Sequence, residues 1–397
     1  MRILQLTSYP TVNPRHGGQI RCAQIATELR NAGHEVKALA VYVDRDYSEI
    51  GEDDVPFGST STFWHDDLPW LSDYFSGSFA ANDASAFSTL SRVGRNFAPE
   101  VIIVEHPWLF NVARLIGGDS VKIVYSSHNI EWRLKDRIFA RDGHPRRSEL
   151  IAEIRDVEIE AAKMADLVVA CTPDDLEYYE GVANVGKRFY GVAAGNGVEP
   201  FSCTDERVDQ WRDFFKNPMP VFVSSAHLPN AQGFWDMMSP GLTFLRPGEE
   251  VLVVGGVSSI ILQAPGFSRF ADVNLSRLNL AGPRDKTELQ ALVRASHVVL
   301  LPITDGEGSN LKTAEALESG CSIVGTSKAF RGFEAGMTLS HVHIADTAAD
   351  FRAAVRRVLD RPRYMGGTPQ AVRSRFYWKE QLRPMVEAVE RLGAGTA

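Results

Sequence analysis

Twice along this chain a series of short, Val- and Ile-rich runs alternates with segments of helical spacing. The first series is RILQLTS from residue 2, VKALAVYV from 36, EVIIVEH from 100, VKIVYSSHN from 121 and ADLVVACT from 165. The second is MPVFVSSA from 219, EEVLVVGG from 249, RLNLAG from 277, HVVLLP from 297 and CSIVGTS from 321. Most of these runs do not alternate apolar with polar residues. A strand buried on both faces has no polar side, and such strands belong to parallel sheets covered by helices. The pattern therefore calls for an α/β class chain with two doubly wound, Rossmann-like units and a crevice between them. A length of 397 residues is too great for one ordinary core and suits two. The turn Gly195–Asn196–Gly197 and Pro200 form a natural hinge. The expected domains are 1–198 and 199–375, with a last helix in 376–397 packing back on the first. Residues 51–98, rich in Ser, Asp and aromatics, read as an insertion with weak helices. In QIRCAQIATELRNAGHEV, apolar residues recur at helical spacing and Gly33 stands at the C-cap.

A net charge of −8 argues against a nucleic-acid binder, whose affinity needs Lys and Arg against phosphates. The four cysteines, Cys22, Cys171, Cys203 and Cys321, form no CxxC pair and have no His at ligand spacing. They read as reduced thiols, and no metal site is expected. MRILQLTSYP reads as a first strand rather than a signal peptide. No run is apolar for long enough to cross a bilayer. The expected location is cytoplasmic, with any membrane contact peripheral.

The stretch TDGEGSNLKTAEALESG, residues 304–320, carries the most chemistry. It follows the strand HVVLLP. Ser309 or Asn310 is a suitable N-cap, Leu311, Ala314 and Leu317 share a helix face, and Gly320 stops the helix. Strand, glycine loop and helix in that order put a helix N-terminus at the carboxyl edge of an open sheet. Free N–H groups and the helix dipole favour a phosphate there, and Lys312 adds a cation. Glu307 and Glu315 would lie roughly 12 Å apart along a helix axis. That is too far for the two carboxyls of a retaining glycosidase, about 5 Å apart. A long ligand with a central diphosphate, such as a nucleotide sugar, suits the spacing better. The plainer reading is also open: glycine loops before helices are common, and glutamates on helices are usually solvated.

EGSNLKTAE resembles the E-x7-E segment of glycosyltransferase family 4, retaining enzymes of GT-B fold. The similarity continues in GGQIRCAQIATELRNAGHEV, YSSHN, ADLVVACTPDD and GNGVE, in the family's order. The resemblance implies two Rossmann-like domains facing a central cleft. It implies that Glu307 contacts the donor sugar and that Glu315 holds the ribose. Gly308, Ser309, Asn310 and Leu311 would cradle the diphosphate. Gly17 and Gly18 would let a first-domain loop approach it. His128 would lie beside the transferred sugar, and Pro283 and Arg284 would face the base. His128 and Glu307 are thus the catalytic candidates. Glu105 and His106, at a strand end, are assigned to the acceptor side, a structural role being the alternative. The sequence departs from the family at SSAHLPNAQGFW, where His227 and Gln232 stand in place of an Arg and a Lys. Lys312 is expected to supply that charge, helped by Lys328 or Arg331.

The implied reaction moves a sugar from a UDP- or GDP-sugar to an acceptor hydroxyl of a glycan or lipid-linked glycan, without an obligatory metal. A nucleotide-sugar epimerase and a non-catalytic nucleotide-sugar-binding subunit are the alternatives. Arg133, Lys135, Arg137, Arg141, Arg146 and Arg147 form a basic cluster that could meet anionic lipid. Asp136 and Asp142 interrupt it, as on a solvated helix face. Gly255 and Gly256 are read as a tight turn.

Overall fold

A computed structural model describes residues 1–184, 189–306 and 308–395. The chain divides into two compact units, Met1–Gly195 with Gln381–Ala397, and Asn196–Glu380.

The first unit holds strands β1 (Arg2–Thr7), β2 (Glu35–Val43), β3 (Val55–Phe57), β4 (Val101–Val104), β5 (Lys122–Ser126), β6 (Leu167–Ala170) and β7 (Gly191–Ala193). Its helices are α1 (Gly17–Asn31), α2 (Ser72–Asn82), α3 (Ala84–Phe97), α4 (Phe110–Gly117), α5 (Glu131–Asp142), α6 (Arg147–Met164) and α7 (Pro173–Ala183). All pairings are parallel, in the order β3-β2-β1-β4-β5-β6-β7. The order reverses between β1 and β4. Ligands of open α/β sheets bind at the carboxyl ends of strands at such a point. Tyr9 follows β1 there, and Glu105 and His106 follow β4.

The second unit holds β8 (Pro220–Val223), β9 (Val251–Val254), β10 (Leu278–Gly282), β11 (Val298–Leu301), β12 (Ser322–Gly325) and β13 (Val342–Ile344). Its helices are α8 (Asp205–Phe214), α9 (Leu228–Met238), α10 (Ala271–Leu275), α11 (Lys286–Ala295), α12 (Leu311–Ser319), α13 (Ala348–Leu359) and α14 (Gln370–Arg373). A last helix, α15 (Trp378–Gly393), ends the chain's regular structure. The strand order is β10-β9-β8-β11-β12-β13, and the reversal lies between β8 and β11.

Why the runs lack alternation is visible in β11. Val298 and Leu300 pack with Phe222, Val251 and Val324 on one face. Val299 and Leu301 pack with Val221, Leu252 and Ile323 on the other. Successive side chains point to opposite faces, and both faces are covered. Each such side chain contributes about 1.5–3 kcal/mol by leaving water.

The expectation for residues 51–98 is corrected. They are part of the frame, since β3 pairs with β2 from Val41–Val55 to Val43–Phe57 and Pro56 sits at a sheet edge. The Asp83 carboxylate accepts from the N–H groups of Ser85 and Ala86, capping α3. Ala86, Leu90 and Val93 then face inward. The pattern of α2 was faint because it buries Ser76, Gly77 and Ala80 alongside Phe79.

Candidate functional site

At the first unit's reversal point, three strand ends deliver polar side chains into an apolar setting. Glu105, past β4, is fully buried, and His128, past β5, is nearly so. Their Oε2 and Nε2 atoms are 3.0 Å apart. Gln5 on β1 donates to Glu105 Oε1 at 2.6 Å and to the Cys22 carbonyl at 3.0 Å. The Tyr9 hydroxyl meets His128 Nδ1 at 3.0 Å, and His106 Nε2 at 3.5 Å. Burial pushes the Tyr9 phenol well above its ordinary range, so it is a donor. Burial also lowers the His128 imidazole, against the pull of Glu105. The consistent arrangement is a neutral imidazole that accepts from Tyr9 and donates to Glu105. Burial acts to raise Glu105, but hydrogen bonds from His128 and Gln5 outweigh it and keep the carboxylate ionised.

Two expectations change. Glu105 cannot face an acceptor: it lies beneath His128 and orients it. His106 is buried, tilted against His128 with ring centroids 4.8 Å apart and stacked on Trp108 at 5.7 Å. Gly17 and Gly18 open α1 rather than forming a loop before it. A Cβ on Gly18 would fall 2.2 Å from the Tyr9 hydroxyl. The room its hydrogen leaves is therefore taken by Tyr9. Tyr9 itself is a residue that the sequence reading missed. Cys22, Glu105 and His128 bring ligand-type atoms within 4.8 Å of one another. Burial holds the Cys22 thiol protonated, and the His128–Glu105 hydrogen bond already accounts for the other pair.

At the second unit's reversal point, α12 begins nine residues after β11 ends, starting at Leu311. Asn310 occupies the N-cap position, but its side chain makes no capping bond. The first N–H groups of a helix have no intrahelical partner. Ser309 is held from behind: its hydroxyl accepts from Asn196 N–H, and its carbonyl from Asn196 Nδ2, both at 2.9 Å. Arg331 Nε donates to the Gly308 carbonyl at 2.7 Å, and Lys328 Nζ to the Thr304 carbonyl at 3.1 Å. These two cations thus brace the loop. Gly308 has φ +64°, a conformation that favours glycine. Glu307 lies outside the described residues.

Lys312, in the first turn, donates to Asn230 Oδ1 at 2.8 Å. Asn230, on α9, anchors in turn to the Ser225 carbonyl and hydroxyl, both at 3.2 Å. Burial lowers the Lys312 ammonium to about 8, the exposed Glu315 carboxylate partly offsetting it. Asn230 was also missed, although it stands in the LPNAQ segment already marked as unusual. His227 takes the N-cap position of α9, and Gln232 is bonded to Asp236 on the same helix. Arg284 is exposed, its guanidinium on the Pro283 carbonyl, and the structure brings it to none of these residues. Gly255 and Gly256 pack against the loop after β8, where added Cβ atoms would lie 2.3 Å from Ser224 O and 2.8 Å from Ala226 N.

The basic cluster is largely paired. Lys135 is buried on Asp73, Arg147 pairs with Asp136, and Arg146 with Glu149. Arg133 lies over the Tyr178 ring at 4.6 Å. These bonds fit the solvated helix face weighed above, with acidic partners beside the basic groups. Among the described residues no helix is long and apolar enough to cross a membrane.

The chain has known relatives in fold. Residues 16–188 match the family described as glycosyl transferase 4-like domain. No curated protein matches. Among solved structures, sucrose-phosphate synthase from Thermosynechococcus elongatus superposes with a TM-score of 0.71 at 14% identity, covering 100% of both chains. HepE of Anabaena, solved with UDP-glucose, gives 0.62 at 14%, covering 98% of this chain and 99% of that one. WaaG, a glycosyltransferase involved in lipopolysaccharide biosynthesis, gives 0.59 at 12%, covering 100% and 98%. The two Rossmann-like parallel sheets and these neighbours give the chain a GT-B fold, in which residues 16–188 are similar to the glycosyl transferase 4-like domain.

Proposed function

We propose that this chain is a retaining, metal-independent hexosyltransferase that moves a sugar from a UDP- or GDP-sugar to an acceptor hydroxyl, in polysaccharide or glycoconjugate biosynthesis. The observation that carries the reading is the uncapped start of α12 with Lys312 beside it, held by Asn230 at a sheet reversal. N–H groups at 309–311 and the Lys312 ammonium would take the diphosphate. As the glycosidic bond to phosphate breaks, negative charge grows on the departing oxygen, and preorganised donors stabilise that charge. Glu315, exposed on the next turn, would take the ribose hydroxyls, and Glu307 those of the sugar. Arg284 would meet the base. In the first unit the catalytic candidate is His128, its orientation set by Glu105 and Tyr9. UDP-glucose in HepE supports a nucleotide-sugar donor. The expected location is cytoplasmic, with a glycan or lipid-linked acceptor.

A thermal-shift panel of UDP-, GDP- and ADP-sugars tests this, because a ligand of the folded state raises the melting temperature. The wild type should be stabilised by one nucleotide class, and Lys312→Ala should lose most of that shift. Absence of a shift with every nucleotide sugar, or a full shift in Lys312→Ala, overturns the reading.

A further inference from the structure

A cavity of about 320 Å³ opens on the helix-covered side of the first unit, between α2, the start of α4 and the second half of α6. Its size is at the lower end of the range for small-molecule sites, roughly 300–1,000 Å³. Small residues make the room: Gly77, Ser78 and Ala81 on α2, and Ala161 on α6. The Gly77 position could not be filled, since a Cβ there would lie 2.3 Å from the Trp108 carbonyl oxygen.

The lining is polar and unspent. Trp108 is 4% exposed, yet its indole N–H finds no hydrogen-bond acceptor among the described residues. A buried donor without an acceptor is costly and calls for an explanation. Asn111, Arg114 and Glu160, all exposed at its mouth, also line the cavity, and the described residues offer their side chains neither a hydrogen bond nor an ion pair. Together these groups supply donors and acceptors beside aromatic rings of Trp108 and Tyr74. An apolar ligand would strand them. A simple anion would meet Glu160 as well as Arg114. A sugar suits them, because each hydroxyl both donates and accepts and the ring has apolar faces for aromatics.

We propose that this cavity binds a saccharide unit and so anchors a non-reacting sugar of the acceptor glycan. The inference rests on the glycosyltransferase reading above. Its link to the reversal point is Trp108, whose ring stacks at 5.7 Å on His106, itself against His128. Trp108 thus joins the cavity wall to the residues at the carboxyl edge of β4.

Saturation-transfer NMR with maltose, cellobiose, lactose and α-mannobiose tests the assignment. At least one of these should bind the wild type and stay bound at saturating UDP. Arg114→Ala should weaken it by about tenfold for the lost charged hydrogen bond, and Trp108→Phe by about fivefold for the lost neutral one. Both variants should keep the wild-type thermal shift with nucleotide, which shows that they fold and leaves the donor reading untouched. If none of the four disaccharides binds, if UDP displaces them, or if neither variant weakens binding, the proposal is overturned. Loss of nucleotide shift in the wild type would instead sink the donor reading.

Discussion

Lys312 Nζ donates to Asn230 Oδ1 at 2.8 Å, joining residues 82 positions apart at the point where the second sheet reverses its strand order. The lysine alone brings charge, and the asparagine fixes where that charge stands. Removing each should therefore differ in degree. Lys312→Ala should lower kcat/KM for the donor by about a hundredfold, the scale of a charged hydrogen bond to phosphate. Asn230→Ala leaves the ammonium but frees it, and about a tenfold loss is expected. Steady-state kinetics with the best nucleotide sugar checks both, and equal losses would show that Asn230 does more than position.

The same lysine sets a pH limit. Its ammonium is lowered by burial to about 8 in the free protein. Above that pH the neutral amine predominates and cannot stabilise a diphosphate. Donor kcat/KM should thus fall with rising pH on a limb near 8. Bound diphosphate favours the charged form, so the corresponding limb in kcat should lie higher. In Lys312→Arg, whose guanidinium stays charged, the limb should vanish from the kcat/KM profile. A limb unchanged by that substitution would assign it to another group.

Burial explains what could be read from the residues alone and what could not. The long runs such as VIIV of β4 and VVLL of β11 are apolar on both faces, and no other local structure accounts for them so simply. By contrast β3, β7 and β13 have three residues each, too few to show any period. The start of α12 was legible because strand, loop and helix are contiguous. Asn230 was not, because only folding brings it to Lys312. Glu105 was left between an acceptor-side and a structural role for a related reason. A residue just past a strand can turn outward to a ligand or inward beneath its neighbours, and its type does not say which. Here Gln5, on a strand about a hundred positions away, draws it inward.

Glu105 supplies the next prediction. Glu105→Ala would leave the His128 Nε2–H and one N–H of the Gln5 amide buried without their acceptor, the other still reaching the Cys22 carbonyl, at a cost of about 2–4 kcal/mol in denaturant unfolding. Glu105→Gln should cost less, because one acceptor oxygen remains. It should still lower the His128 pKa further, since the carboxylate is what pulls that pKa upward against burial. Imidazole NMR reads the direction, and a rise would refute the assigned hydrogen bonds. In the wild type the imidazole is neutral when folded but takes a proton when unfolded below its ordinary value of 6.5. Its share of stability is therefore present above that value and is lost as the pH falls below it.

Gly255 ties the second unit's stability to its site. Its φ of +98° is strained for any residue with a side chain, and a Cβ would lie 2.3 Å from the Ser224 carbonyl oxygen. The atoms it would meet are all Ser224 backbone, which leaves nothing flexible to move aside. Gly255→Ala should therefore destabilise the protein by more than about 2 kcal/mol, the upper part of the usual range for a single substitution. The strain would fall on the loop after β8, where Ser225 holds Asn230 and Asn230 holds Lys312. Donor affinity should drop with stability, even at temperatures where the variant is fully folded. Calorimetry gives the first quantity and a donor titration the second. A destabilised variant with wild-type donor affinity would show that the loop's position does not reach the lysine.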